Sequence, residues 1–252
     1  GKWTASRMVS SAHGMGGNYI YDCEWINDGY PVLTWQSTVT LPEDLVLTTA
    51  AQLRLVAFTV NSGKDDFSGK TIRLGRDIDL DSREWVPIGG NKQEDTSGKS
   101  FKGTFDGQGH TIDALGLAGI FQITGNNVTL KNINFINGAW GIGGGAIYSD
   151  VEDGMLVVDN CNFTNNTGSN GGAIYINQNG KLIVNNSNFI SNEGFYGGSI
   201  KANDLIVMNS KFTGNDANNN NGAVYADYAI IKDCEFTGHN TNQDGGSVYI
   251  IY

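Results

Sequence analysis

The feature that most constrains this chain is a repeat of about 25 residues, present five times in its second half. Gly144-Gly145-Ala146-Ile147 returns as Gly171-Gly172-Ala173-Ile174, Gly197-Gly198-Ser199-Ile200, Asn221-Gly222-Ala223-Val224 and Gly245-Gly246-Ser247-Val248. The steps between the second glycines are 27, 26, 24 and 24 residues. A Phe-x-x-Asn tetrad runs in phase with it, at Phe163 to Asn166, Phe189 to Asn192 and Phe212 to Asn215. Phe135 precedes the series, and Phe236 to His239 closes it with His in place of Asn. Three residues before each Phe stands Asn132, Asn160, Asn186, Asn209 or Asp233, preceded in turn by a short apolar strand.

A period of this size holds two or three short strands separated by turns. Each strand then pairs with its equivalent in the next coil, about 4.8 Å away. Like side chains stack into columns, here one of Ile and Val, one of Phe and one of Asn. Stacked asparagines satisfy one another and nearby backbone groups, which a lone buried amide cannot do. The 35 glycines agree with this reading, since helices tolerate glycine poorly and tight turns need it. The expected fold is all-β, a right-handed single-stranded parallel β-helix with an N-terminal capping helix.

The helix is read from Thr49-Ala50-Ala51-Gln52, a capping box, and from the apolar face of Leu53, Val56, Ala57 and Val60. It should run from about 49 to 62, stopped by Gly63, and lie across the open end of the array. Degenerate coils are expected over about 70–125 and regular coils over about 126–252. Ala118-Gly119-Ile120-Phe121 falls 26 residues before the first glycine pair and counts as an earlier rung. Residues 1–46, with Trp3, Trp25 and Trp35, form an N-terminal tail or capping segment whose fold the period does not give.

Cys161 and Cys234 share a column with Ser187 and Ser210 between them. Three rungs put them roughly 14 Å apart, beyond the reach of a disulfide. Two small buried thiols are expected. Four Asn-x-Ser/Thr sequons occur, at Asn127, Asn162, Asn165 and Asn185, two of them beside columns that should be buried.

The net charge of −10 argues against a nucleic-acid partner, and no apolar run is long enough for a membrane span. Two exterior features carry the functional reading, a tyrosine row and the uncapped end at Tyr252. Tyr148, Tyr175, Tyr225 and Tyr249 each follow an inward Ile or Val, so alternation places them outside, in a row that Lys201 interrupts. Such a row suits sugar rings or a protein partner; the alternative is a ladder that only stabilises the sheet. Asp77, Asp79 and Asp81 share a strand face and form a weak calcium candidate, the alternative being a solvated face opposite Ile78 and Leu80.

Parallel β-helices include pectate lyases and polygalacturonases, which need carboxylates grouped on neighbouring coils. Here Glu152, Asp153, Asp204, Asp216, Asp227 and Asp244 keep no common register. The polygalacturonase motif set is absent, and Gly109-His110-Thr111 echoes it only in part, with His110 read as a turn residue. The chain is therefore expected not to be an enzyme, with a polysaccharide lyase or hydrolase kept as an alternative. No cofactor other than calcium is suggested.

The stretch from Leu47 to Phe121, including Asp66-Phe67-Ser68-Gly69-Lys70 and Gly103-Thr104-Phe105-Asp106-Gly107-Gln108-Gly109-His110, resembles the leading portion of GLUG-type surface repeat proteins. Gly29-Tyr30-Pro31-Val32-Leu33 is similar to the tail closing such modules. The Gly-Gly-Ala-Ile and Phe-x-x-Asn tetrads resemble those of chlamydial polymorphic membrane proteins and methanogen adhesin-like proteins. The resemblance implies a secreted or cell-surface, non-catalytic, adhesin-like scaffold that binds a glycan or a surface protein. A second reading is a filament subunit that self-associates end to end, because Val248 to Tyr252 ends in mid-rung with no capping segment after it.

Overall fold

The computed structural model describes residues 19–20, 32–33, 41–42, 44–80, 85–90, 100–150, 154–219, 222–241 and 246–252. Asp81, Cys23, Glu152, Asp153, Asp244 and the tryptophans at 3, 25 and 35 lie outside them. Of residues 1–40, the description covers a short antiparallel pair, Tyr19–Ile20 with Val32–Leu33. From Leu45 onward the chain winds as a parallel β-solenoid, and one of its sheets has seven strands, one per turn. The described residues are nearly all β, with one helix at Ala50–Asn61 (α1).

A regular coil has four strand segments in three parallel sheets, the valine and tyrosine segments sharing one sheet. It enters along the valine side, as in Met155–Asp159, and turns at Asn160 onto the phenylalanine side, Asn162–Thr164. It turns again at Asn165 into a short strand, Thr167–Gly168, passes the glycine pair and leaves along the tyrosine side, Ile174–Ile176. Register is kept from coil to coil: Phe135, Phe163, Phe189, Phe212 and Phe236 align, as do Leu130, Val158, Val184, Val207 and Ile231. Phe121 aligns with Ile147, so the earlier rung expected at Ala118 to Phe121 is real.

Each column has a physical cause. The first corner is made by Asn132, Asn160, Asn186, Asn209 and Asp233, all at φ between 49° and 55°. Asn and Asp tolerate that left-handed conformation far better than branched residues do. The second asparagine column is buried. Asn166 Nδ2 donates to Asn192 Oδ1, and Asn192 Nδ2 to Asn215 Oδ1, both at 2.9 Å. The same amides donate to the carbonyls of Phe135, Phe163 and Phe189, so the ladder satisfies the backbone at the turn it fills. Glycine in the pair is required by close approach: a Cβ on Gly172 would stand 1.9 Å from the carbonyl oxygen of Gly198 in the next coil.

The shorter late coils also have a structural basis. Ile174–Ile176 and Lys181–Asn185 are separate strands joined by a turn at Gln178, where φ is 62°. In the next two coils that turn is gone, and single nine-residue strands, Ile200–Met208 and Val224–Lys232, run through the corner.

The capping box on α1 forms as expected, with Thr49 and Gln52 bonding each other's backbone N–H. Leu53, Val56, Ala57 and Val60 join the core formed by Leu45, Phe67, Ile72 and their successors. The guanidinium of Arg54 donates to the Leu80 carbonyl, and Asn61 to that of Pro87, tying the helix to the first coils. The first parallel strand, Leu45–Leu47, precedes the helix rather than following it, and it pairs with Thr71–Leu74. The solenoid thus begins one strand earlier than the periodicity indicates.

Cys161 and Cys234 are free thiols, Cys161 fully buried and Cys234 partly so. Ser187 and Ser210 between them bond to backbone groups of neighbouring coils. Burial pushes the Cys161 thiol up to about 12, which keeps it protonated and inert.

Candidate functional site

The tyrosine side is the region in which outward side chains form a chemically distinctive cluster. Gln122, Tyr148, Tyr175, Lys201, Tyr225 and Tyr249 occupy one register position on six successive strands. Alternation does point them away from the core. They are not equally open to solvent, however. Tyr148 is fully buried, Tyr175 and Tyr225 are half-buried, and Tyr249 is 45% exposed.

Tyr148 therefore corrects the expected exterior row. Trp140 lies edge-on against it, with ring centroids 5.7 Å apart, and Gly143 sits against its Cβ. The chain before the glycine pair thus folds over Tyr148. Later coils have Gly168, Gly194 and Ala217 in register with Trp140, so this roof is specific to one coil.

The interruption at Lys201 is the centre of the cluster. Its Nζ lies 4.1 Å from the ring centroid of Tyr196, 5.0 Å from Tyr175 and 5.7 Å from Tyr225. It also donates to Asn170 Oδ1 at 3.0 Å. A cation enclosed by ring faces is attracted to their negative quadrupoles. Burial lowers the Lys201 pKa, an effect that the charge of Asp227 opposes. Tyr196 is held by Phe195, edge to face at 4.9 Å, and Phe195 is 46% exposed. Neither belongs to the repeat. Two aromatic residues immediately before a glycine pair are the available signal, one that a repeat pattern does not carry because they occur once.

Beside the tyrosines runs a polar ladder. Asn177 Nδ2 donates to Asp150 Oδ1 at 2.8 Å and to the Tyr148 hydroxyl at 3.3 Å, while the Tyr175 hydroxyl donates to Asn177 Oδ1 at 2.9 Å. One coil further, Asn203 Nδ2 donates to Asp227 Oδ2 at 2.8 Å. Burial, reinforced by Asp150, raises the Tyr148 and Tyr175 pKa values, so both hydroxyls stay protonated. Tyr225 and Tyr249 stack at 5.4 Å with an interplanar angle of 20°. Stacked rings cover one another's faces, so this pair offers mainly edges and hydroxyls outward.

The other sequence candidates are placed elsewhere. Asp77 and Asp79 line an open cleft of about 540 Å³ with Thr48, Arg76 and His110. Asp77 accepts the Thr111 N–H at 2.9 Å and faces His110 Nδ1 at 3.2 Å. These contacts, the backbone one first, hold its carboxyl below the usual range. Among the described residues no group of three or more His, Cys, Asp and Glu could hold a metal ion. Asp204 pairs with Lys181 at 3.3 Å, and Asp216 accepts from Asn240 at 3.0 Å. Among the described residues no helix is long and apolar enough to cross a membrane.

No protein-family model matches the chain, and no curated protein matches it. Among solved structures it is similar to a chain from Bacteroides ovatus described as a putative immunoglobulin A1 protease. The likeness has a TM-score of 0.41 at 16% identity, and covers 81% of this chain and 84% of that one. The expectation that this chain is not an enzyme is not upheld by this comparison, whose neighbour bears a protease's name. The name belongs to that protein, and at this level of similarity no activity is carried across to this chain.

Proposed function

We propose that this chain is an exported, cell-surface scaffold that binds an extended glycan along its tyrosine side. The observation that carries the reading is the joint arrangement of aromatic and hydrogen-bonding groups at one-coil spacing. Tyr175, Tyr196, Tyr225 and Tyr249 surround or continue the Lys201 cage, with Asn177, Asn203 and Asp227 beside them. Phe195 adds an exposed apolar platform at the edge. Apolar surface next to a few oriented polar groups is the ordinary composition of a ligand site. A linear polymer fits the arrangement because the groups repeat along an axis rather than converging on a point. The resemblance of the repeats to adhesin-like proteins supports the same reading.

The test is a glycan array probed with the full chain and with a Phe195→Ser, Tyr249→Ser double variant. Both positions are exposed, so the variant should keep the fold. Binding to at least one polysaccharide class, reduced tenfold or more by the double substitution, is the expected result. No binding by the wild type, or binding that the variant leaves unchanged, overturns the proposal.

A further inference from the structure

The four sequons are equivalent in sequence and very different in the fold. Asn185 is followed by Ser187, whose hydroxyl is buried, donates to the Asn185 carbonyl at 2.7 Å and accepts the Cys161 N–H at 3.1 Å. Asn185 itself donates to Asp159 Oδ1 at 3.2 Å and accepts from Asn209 at 3.0 Å. Asn162 belongs to an outer ladder on the phenylalanine side. Its Nδ2 donates to Asn134 Oδ1 at 2.6 Å, and its Oδ1 accepts from Asn188 at 2.8 Å. A sugar on either nitrogen would have to displace a neighbouring coil's amide or carboxylate.

Asn127 and Asn165 differ from these two in exposure and in backbone conformation. Both are exposed, and both sit at left-handed turns, with φ of 60° and 54°. In Asn165-Asn166-Thr167 the first and third residues are exposed while Asn166 is fully buried. The buried ladder thus fixes the middle of the sequon, with the acceptor amide and the threonine on the outside. At the same corner the following coil places Ser191 and the preceding one Asn137, whose amide is turned away to Asp113, so only Ser191 lies alongside on the far side. In Asn127-Val128-Thr129 the buried Val128 plays the anchoring part.

We propose that Asn165 and Asn127 are N-glycan acceptors and that Asn162 and Asn185 are not. In the reaction, Nδ2 forms a bond to the anomeric carbon of a lipid-phosphate-linked oligosaccharide. The bond from that carbon to the phosphate oxygen breaks, the lipid phosphate leaves with the electron pair, and Nδ2 loses one proton. The inference rests on the exported location proposed above, but not on the tyrosine side.

It is tested by exporting the full chain from a host with oligosaccharide-transfer machinery, beside a control protein with a known open sequon, and mapping glycopeptides by mass spectrometry. Sugar at Asn165 and Asn127 is expected, with Asn165→Gln and Asn127→Gln each removing one glycan mass. An unmodified Asn165 or Asn127 in a host that modifies the control, or sugar at Asn162 or Asn185, overturns the proposal. Glycan-array binding by the tyrosine side is read separately, so either idea can fail alone.

Discussion

The early and late coils bury phenylalanine in different ways. In the late coils one Phe per turn stacks on the next, from Phe135 to Phe236, with centroids 4.6–4.9 Å apart and interplanar angles of 3–17°. In the early coils Phe67, Phe101, Phe105 and Phe121 come from different positions and meet tilted or edge-on at 5.3–6.2 Å. Both regions bury these rings fully, except Phe236 in the last described coil, which is half-buried. The late coils do it by repetition, so that one solution at one turn serves every turn. The early coils, which join α1 to the solenoid, fill an irregular space with rings at whatever angle fits. Burial alone therefore does not distinguish the two regions; the geometry of the contacts does.

The largest test of this contrast is truncation of a ring. Phe189→Ala removes a side chain stacked on both faces and should cost about 4 kcal/mol of stability, read from the urea midpoint. Phe105→Ala should cost a similar transfer term without the second stacked partner. A ring-to-Leu series separates them further: Phe189→Leu should lose roughly 1 kcal/mol more than Phe105→Leu. Equal losses would remove any special role for the stack.

Glycine substitutions give the next largest effect. Gly172→Ala drives a Cβ into the Gly198 carbonyl and should destabilise by about 3 kcal/mol. Gly109→Ala, in an early coil, meets no atom within 4 Å but sits at φ of 85°. Its cost should be about 1 kcal/mol, from backbone strain alone. Thermal unfolding of the two variants side by side checks the order.

The smallest effect concerns the end of the asparagine ladder. His239 Nδ1 accepts the Asn215 N–H at 3.0 Å, which requires a neutral ring. Burial lowers its pKa, although the Asn215 carbonyl, 3.2 Å from Nδ1, and the charge of Asp216 work the other way. Phe236 is the ring packed beside it. The unfolded chain takes up the proton first, so the contribution is complete above the ordinary imidazole pKa of about 6.5 and is lost as the pH falls below it. His239→Asn should abolish that dependence. Hydrogen exchange of Asn215 and the last coil at pH 5 and pH 7.5 checks this, with the wild type opening more readily at the lower pH.

The repeat made the columns legible: the Phe stack, both asparagine columns, the thiol–hydroxyl column and the rung at Phe121 could all be placed from spacing. The capping box was equally readable because its signal is local. What spacing missed are single residues that occur once. Trp140 stands where later coils carry Gly168, Gly194 and Ala217, and it buries a tyrosine that alternation alone turns outward. Phe195 and Tyr196 likewise turn the interruption at Lys201 into an aromatic cage. The strand at Leu45–Leu47 was missed for another reason, since its partner lies beyond an intervening helix. Repetition reports the scaffold, and departures from it mark the candidate site.

Successive coils stack in register at strand spacing, and every column of the fold depends on that stacking. Ile136, Thr164, Ile190, Thr213 and Thr237 align on the outside of the phenylalanine side, four coil steps from first to last. Spin labels on cysteines at Ile136 and Thr237, with native cysteines replaced by serine, measure that span by pulsed electron–electron resonance. In-register stacking predicts a narrow distribution at ~19 Å, apart from the label linkers, although about 100 residues separate the two positions. A broad distribution, or a distance beyond about 30 Å, would contradict it.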